Sequence, residues 1–255
     1  MINKIDLKEL ESIYNASKSK NDALFIKLMA NAECFYEHKL CEIFKITSKK
    51  ALLGVFVRCN GSLIIVNFKN SGYTELYSYL SLEAKGFNIE CSKKAALKIN
   101  GVLNRSIVLG EILSVKDINK KESEFKVCKT EDIKEFYDTI KFCDPLFKKC
   151  EFDAYYCDIF YRKKLPYKMR LIKDNDKNIA TAGMFHKYNG ISVISDVTVS
   201  GEYRKRGLGS LIVSSICREI LDEGNTPFVF CVNPVALKMY KKLKFKKKGS
   251  FAVIF

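Results

Sequence analysis

No stretch of this 255-residue chain approaches the roughly eighteen consecutive apolar residues of a membrane-spanning helix, so no membrane span is expected. The opening residues, MINKIDLKELES, lack the apolar core of a secretory signal, which points to the cytoplasm. Ten cysteines are present but no C-x-x-C pair. They stand singly in apolar or amphipathic segments, as Cys217 and Cys231 do, so the expectation is reduced thiols, with neither a disulfide framework nor a structural metal. Tryptophan is absent. Nothing matches the phosphate loop GxxxxGK[ST] or the dinucleotide fingerprint GxGxxG. No RRM, KH or zinc-finger pattern appears either, which argues against a dedicated nucleic-acid module.

What is present is the composition of a folded protein, 47% hydrophobic and 12% aromatic, long enough for one large domain or two of ordinary size. The formal net charge of +15 favours acidic partners, either a polyanionic cofactor or nucleic acid. Its densest cluster is Lys238 to Lys248, with seven lysines in eleven residues. A solvated helix face and strand account for that cluster most simply; recruitment of cofactor phosphates comes second and nucleic acid third.

One stretch organises the rest: DVTVSGEYRKRGLGSLIVSSIC, Asp196 to Cys217. Val197, Thr198 and Val199 predict a strand, and the turn Arg204-Lys205-Arg206-Gly207-Leu208-Gly209 follows. Leu208, Leu211, Ile212, Ile216 and Ile220 then recur at helical spacing. A glycine-bearing turn into a helix presents unsatisfied N–H groups and the positive end of the dipole, which suits an anion. Gly207 and Gly209 carry no Cβ, so a phosphate can approach the main chain. Downstream, Thr226 to Val232 reads as a buried strand. Asn233-Pro234 opens a helix bearing Ala236, Leu237, Tyr240 and Leu243.

Arg204, Gly207 and Gly209 match R-x-x-G-x-G, and Asn233, Ala236, Tyr240 and Phe245 follow N-x-x-A-x-x-x-Y-x-x-x-G-F, with Lys244 in the glycine position. In both patterns the chain resembles the GNAT superfamily of acyl-CoA-dependent N-acyltransferases. The resemblance implies an α/β fold with a mixed, twisted sheet and a slot between two splayed strands. It also implies acetyl transfer from acetyl-CoA to a primary amine by direct attack in a ternary complex. The implied cofactor contacts are Val197, Thr198, Val199, Arg204, Lys205, Arg206, Gly207, Leu208, Gly209, Ser210, Asn233 and Tyr240. Tyr240 is the implied acid for the leaving thiolate. Asp196 is the preferred base, placed by strand alternation on the face opposite Val197; Glu202 and His186 are weaker candidates. A CoA-binding module without catalysis is the alternative, and a basic nucleic-acid-associated protein the more distant one. The acceptor is expected to be a small molecule.

Residues 123 to 255 carry the resemblance, with the order βααβββαβαβ. The first half shows a similar order of helices, an Asn60-Gly61 hairpin, and alternating helices and strands. It is read as an accessory α/β domain, residues 1 to 122: either a GNAT-like copy, degenerate because Lys69 to Tyr73 holds no phosphate turn, or an unrelated α+β domain. Val115 to Glu124 reads as a polar linker or domain edge.

Overall fold

The computed structural model describes residues 1–18, 22–59, 61–68, 73–84, 86–119, 123–145, 147, 150–162 and 167–255. Asn60 of the expected hairpin and residues 69–72 of the expected phosphate-free turn lie outside them. The chain divides into two compact units, Met1–Ile112 with Gly249–Phe255, and Leu113–Lys248.

The first unit runs β1 (Ile2–Ile5), α1 (Leu7–Ala16), α2 (Ala23–Phe35), β2 (Cys41–Ser48), β3 (Ala51–Cys59), β4 (Ser62–Asn67), α3 (Tyr73–Glu83), β5 (Asn88–Ser92), α4 (Lys93–Leu103) and β6 (Ile107–Ser114). Its strands lie in the order β1-β2-β3-β4-β5-β12-β6, where β12 (Lys246–Ile254) supplies Phe251–Ile254 antiparallel to β5. The helices start where short polar side chains can accept from the first turn: Asp6 from Glu9 N–H, Asp22 from Leu24 N–H and Ser92 from Ala95 N–H. β1 was not expected from the sequence, because its polar residues read as the approach to a helix. α2 is buried nearly all round. It lies against β2, β3 and β4.

The second unit repeats that order: β7 (Val127–Lys129), α5 (Ile133–Cys143), α6 (Phe152–Arg162), β8 (Lys168–Asp174), β9 (Lys177–Tyr188), β10 (Ile191–Val199), α7 (Leu208–Asp222), β11 (Thr226–Cys231) and α8 (Pro234–Lys242). Here the strand order is β11-β10-β9-β8-β7. The pairings repeat as well. β7–β8, β8–β9 and β9–β10 are antiparallel and β10–β11 is parallel, as β1–β2, β2–β3, β3–β4 and β4–β5 are in the first unit. Alternation along β8 and β9 sends Met169, Leu171 and Phe185 to a core under α5 and α6. It sends Ile172, Ala180, Ala182 and Met184 to a larger core under α7 and α8. The helical stripe read from the sequence, Leu208, Leu211, Ile212, Ile216 and Ile220, lies buried in that larger core. Each of these side chains contributes roughly 1.5–3 kcal/mol through burial.

Two features depart from the sequence reading. Val115 and Ile118, read as linker, are buried in the α7–α8 core, and Val115 N–H donates to Pro227 O at 3.4 Å. The final strand, read as the last of residues 123 to 255, has Gly249–Phe255 packed with the first unit. Ala252 and Ile254 join the core formed by β3, β4, β5, α3 and α4. Neither pairing is visible locally, since each depends on which strand edge lies open in three dimensions. Among the described residues, no helix is long and apolar enough to cross a membrane.

Candidate functional site

The turn after β10 positions the site. Ser200 N–H donates to Ile179 O at 2.9 Å, closing β10 against β9, and Gly201–Tyr203 forms a single 3-10 turn. Lys205 and Gly207 take left-handed backbone angles, φ 65° and 85°, and Gly207 stands at the N-cap of α7. Glycine adopts that angle without a Cβ penalty. No side chain caps this helix. The first-turn N–H groups of Leu208, Gly209 and Ser210 therefore point outward with the positive end of the dipole, a cradle suited to phosphate.

Close packing fixes Gly209 independently. A Cβ built there meets Met239 Sδ at 2.8 Å and Val199 Cγ2 at 3.7 Å. The end of β10, the first turn of α7 and the middle of α8 thus converge on this residue.

The strands open beside that point. β10 and β11 pair in parallel from Ile191↔Thr226 to Ile194↔Val229. β10 then continues through Val199 and β11 through Cys231. β10 thus runs about five residues past its pairing with β11, toward the turn that leads into α7.

The basic side chains divide the work. Arg204 Nε donates to Val199 O at 3.1 Å and its Nη2 to Cys143 O at 3.3 Å, so this cation ties the end of β10 to the end of α5. Arg206 lies over the Tyr203 ring at 5.1 Å, and Tyr203 Oη donates to Asp174 Oδ2 at 2.6 Å. Lys205 is exposed. We expect Arg204→Ala to lower the melting temperature of the ligand-free protein, by about 1 kcal/mol for two partly exposed hydrogen bonds. Arg204→Lys should restore little of it, since an ammonium cannot span both carbonyls. An unchanged ligand-free melt with weakened cofactor binding would give Arg204 a phosphate role alone.

Asn233 caps α8, accepting through Oδ1 from Val235 N–H at 2.8 Å and Ala236 N–H at 3.3 Å. Tyr240 lies about two turns further on and is 5% exposed, in the core shared with Cys217 and Cys231; its ring meets Phe245 at 5.2 Å. Burial pushes the Tyr240 phenol up from its ordinary value, and Cys231 and Cys217 add to the rise. The phenol therefore stays protonated through neutral pH.

Asp196 required a correction. Simple alternation from Ile194 to Thr198 does not hold, because the β9–β10 register shifts between Ser195 and Thr198 and Asp196 has φ 52°. It stands in a β-bulge, which adds a residue to one strand and re-aims side chains. Thr181 Oγ1 donates to Asp196 O at 2.7 Å and lies 2.8 Å from Thr198 Oγ1. The Asp196 carboxylate accepts from Tyr155 Oη at 3.0 Å. Burial raises the Tyr155 phenol, and the Asp196 charge raises it further. No local sequence pattern marks the Tyr155 hydrogen bond, whose partner lies 41 positions away. Of the weaker candidates, Glu202 is exposed and lies 3.8 Å from Lys177 Nζ, and His186 pairs across the sheet with Val193.

The FR47-like protein family model matches residues 171–252, which run from within β8 to within β12 and include every site element above except α5 and α6. No curated protein matches the chain. Among solved structures, a Drosophila protein superposes with a TM-score of 0.71 at 13% identity, covering 100% of this chain and 98% of that one. A GCN5-related N-acetyltransferase from Sphaerobacter thermophilus superposes at 0.68 with 11% identity, covering 99% and 94%. A tandem GNAT protein from the clavulanic acid biosynthesis pathway superposes at 0.65 with 7% identity, covering 99% and 97%. Residues 171–252 are thus similar to FR47-like proteins. The chain as a whole has the fold of GNAT acetyltransferases, including a tandem one.

Proposed function

We propose that this protein is an N-acetyltransferase of the cytoplasm that moves the acetyl group of acetyl-CoA to a primary amine of a small molecule, in one ternary complex. The uncapped, glycine-bearing N-terminus of α7, beside the end of β10 that runs past its pairing with β11, carries the proposal. The residues there fit the cofactor's chemistry. First-turn N–H groups of α7, with Arg206 and Lys205 nearby, would neutralise the pyrophosphate. Main-chain groups of Val197 and Val199 would pair with the amides of the pantetheine arm. Bound there, acetyl-CoA supplies a thioester open to attack by an amine.

The chain's own groups then manage two protons. Asp196 accepts the proton that the amine must lose, as general base. Tyr240, kept neutral by burial, donates to the sulfur as the thiolate leaves. Asn233 holds the start of α8, and with it the helix that carries Tyr240. In this reading residues 1 to 122 form an accessory domain that holds no CoA.

The test is release of free CoA thiol when the full chain is mixed with acetyl-CoA and a panel of primary amines. Acetylation of at least one amine is the expected result. Tight cofactor binding with no transfer to any amine would favour a regulatory CoA-binding module instead. Binding that CoA does not compete away but salt abolishes steeply would favour a nucleic-acid partner at Lys238 to Lys248.

A further inference from the structure

We propose that Tyr155 is a positioning residue for Asp196, fixing where the carboxylate points and holding it in the charged, proton-accepting form; this rests on the reading of Asp196 as the base. Three independent features of the fold lead there. The bulge at Asp196 departs from the regular strand at a residue whose left-handed φ of 52° is costly outside glycine. Such a backbone persists only where its surroundings over-determine it. Here Thr181 holds the Asp196 carbonyl at 2.7 Å, and Tyr155 holds its carboxylate at 3.0 Å from a different element, α6.

Tyr155 is itself fixed. It is 8% exposed, and its ring lies 5.5 Å from those of both Tyr137 and Phe147. A phenol locked on three sides donates along one direction, so the carboxylate loses the rotation that an exposed strand aspartate has. The raised Tyr155 phenol remains a donor at every pH where the enzyme would work.

Among the described residues, several other titratable and charged groups act on this pair. Cys150, before α6, acts on both Asp196 and Tyr155, and burial raises its thiol so that it stays neutral. Asp158 on α6 faces Tyr155 and is paired with Arg162 Nε at 2.7 Å. Lys141 on α5 acts on Cys150 and donates to Tyr137 Oη at 3.1 Å. On the strand side the neighbours are the Thr181 and Thr198 hydroxyls. Tyr155→Phe removes the hydroxyl that donates to the carboxylate while keeping the ring that packs on Tyr137 and Phe147.

The experiment is a carboxyl-carbon NMR titration of Asp196 in the full chain, assigned by its loss in Asp196→Asn. It is run for the wild type, for Tyr155→Phe, and for a chain with 3-fluorotyrosine at position 155. A hydrogen bond to a carboxylate favours the charged form, so losing it raises the midpoint, by about one pH unit. The fluorinated phenol is a stronger donor and moves the midpoint down. The acid limb of kcat/KM for amine transfer follows in the same directions, whereas a merely structural role would change stability and leave the limb in place. An Asp196 midpoint unmoved by both replacements would overturn the inference. A wild type that acetylates no amine would sink the proposed function and leave the titration result standing.

Discussion

Gly209→Glu abolishes the stabilisation that acetyl-CoA gives the wild type. At one hundred times its dissociation constant a ligand stabilises the folded state by about 2.7 kcal/mol, a melting shift of about 5–10 °C for a chain of this size. The variant places a carboxylate among the first-turn N–H groups of α7, where it meets the same dipole that would hold pyrophosphate. The glutamate both occupies the cradle and repels the incoming anion. Its own Cβ presses on Met239 Sδ at 2.8 Å, but a methionine thioether can swing aside. Overpacking of this kind costs about 1–3 kcal/mol, and a negative charge in the first turn returns about 0.3–1 kcal/mol. The ligand-free variant should therefore melt a few degrees lower yet cooperatively. A full acetyl-CoA shift in this variant would remove the α7 N-terminus from the cofactor site.

Tyr240→Phe separates binding from chemistry. The ring still packs on Phe245, so the fold and the affinity for acetyl-CoA should change little. What is lost is the proton for the leaving thiolate, and positioned acid catalysis contributes about 10²–10⁴-fold. The expected result is a fall of about 10²-fold or more in kcat, with KM for acetyl-CoA nearly unchanged. The wild-type pH profile carries a second sign. Burial raises the Tyr240 phenol above its ordinary value of 10.0, so the acid stays protonated and the rate shows no alkaline fall below that value. A kcat close to wild type in Tyr240→Phe would make Tyr240 a packing residue only.

The parts of the site legible in the sequence are those fixed within one turn or one helix. Gly207 and Gly209 mark the turn because few other residues tolerate that angle or that close approach. Asn233-Pro234 marks the start of α8 because both residues suit their positions in a helix N-terminus. The apolar stripe of α7 reads directly as a buried face. Asp196 was legible as a residue but not as a geometry. Two-residue alternation presumes an unbroken ladder, and the extra residue of a bulge has no local sequence signature. Tyr155 was hidden for a related reason, since its partner lies on a strand 41 positions away. Arg204 looked like a phosphate ligand because its charge is visible in sequence, while the Val199 and Cys143 carbonyls that it ties together are not. The repeated element order was visible in outline. That Gly249–Phe255 would pack beside β5 was not, because edge pairing is decided by the assembled sheet.

The most direct test of the account is a calorimetric titration of the full chain with acetyl-CoA, followed in the same cell by primary amines and mass analysis of the products. The account predicts saturable binding at one site per chain, then heat on amine addition with an acceptor heavier by one acetyl group. No binding of acetyl-CoA by the wild type would contradict it, and the glycine turn before α7 would then be only a connection between a strand and a helix.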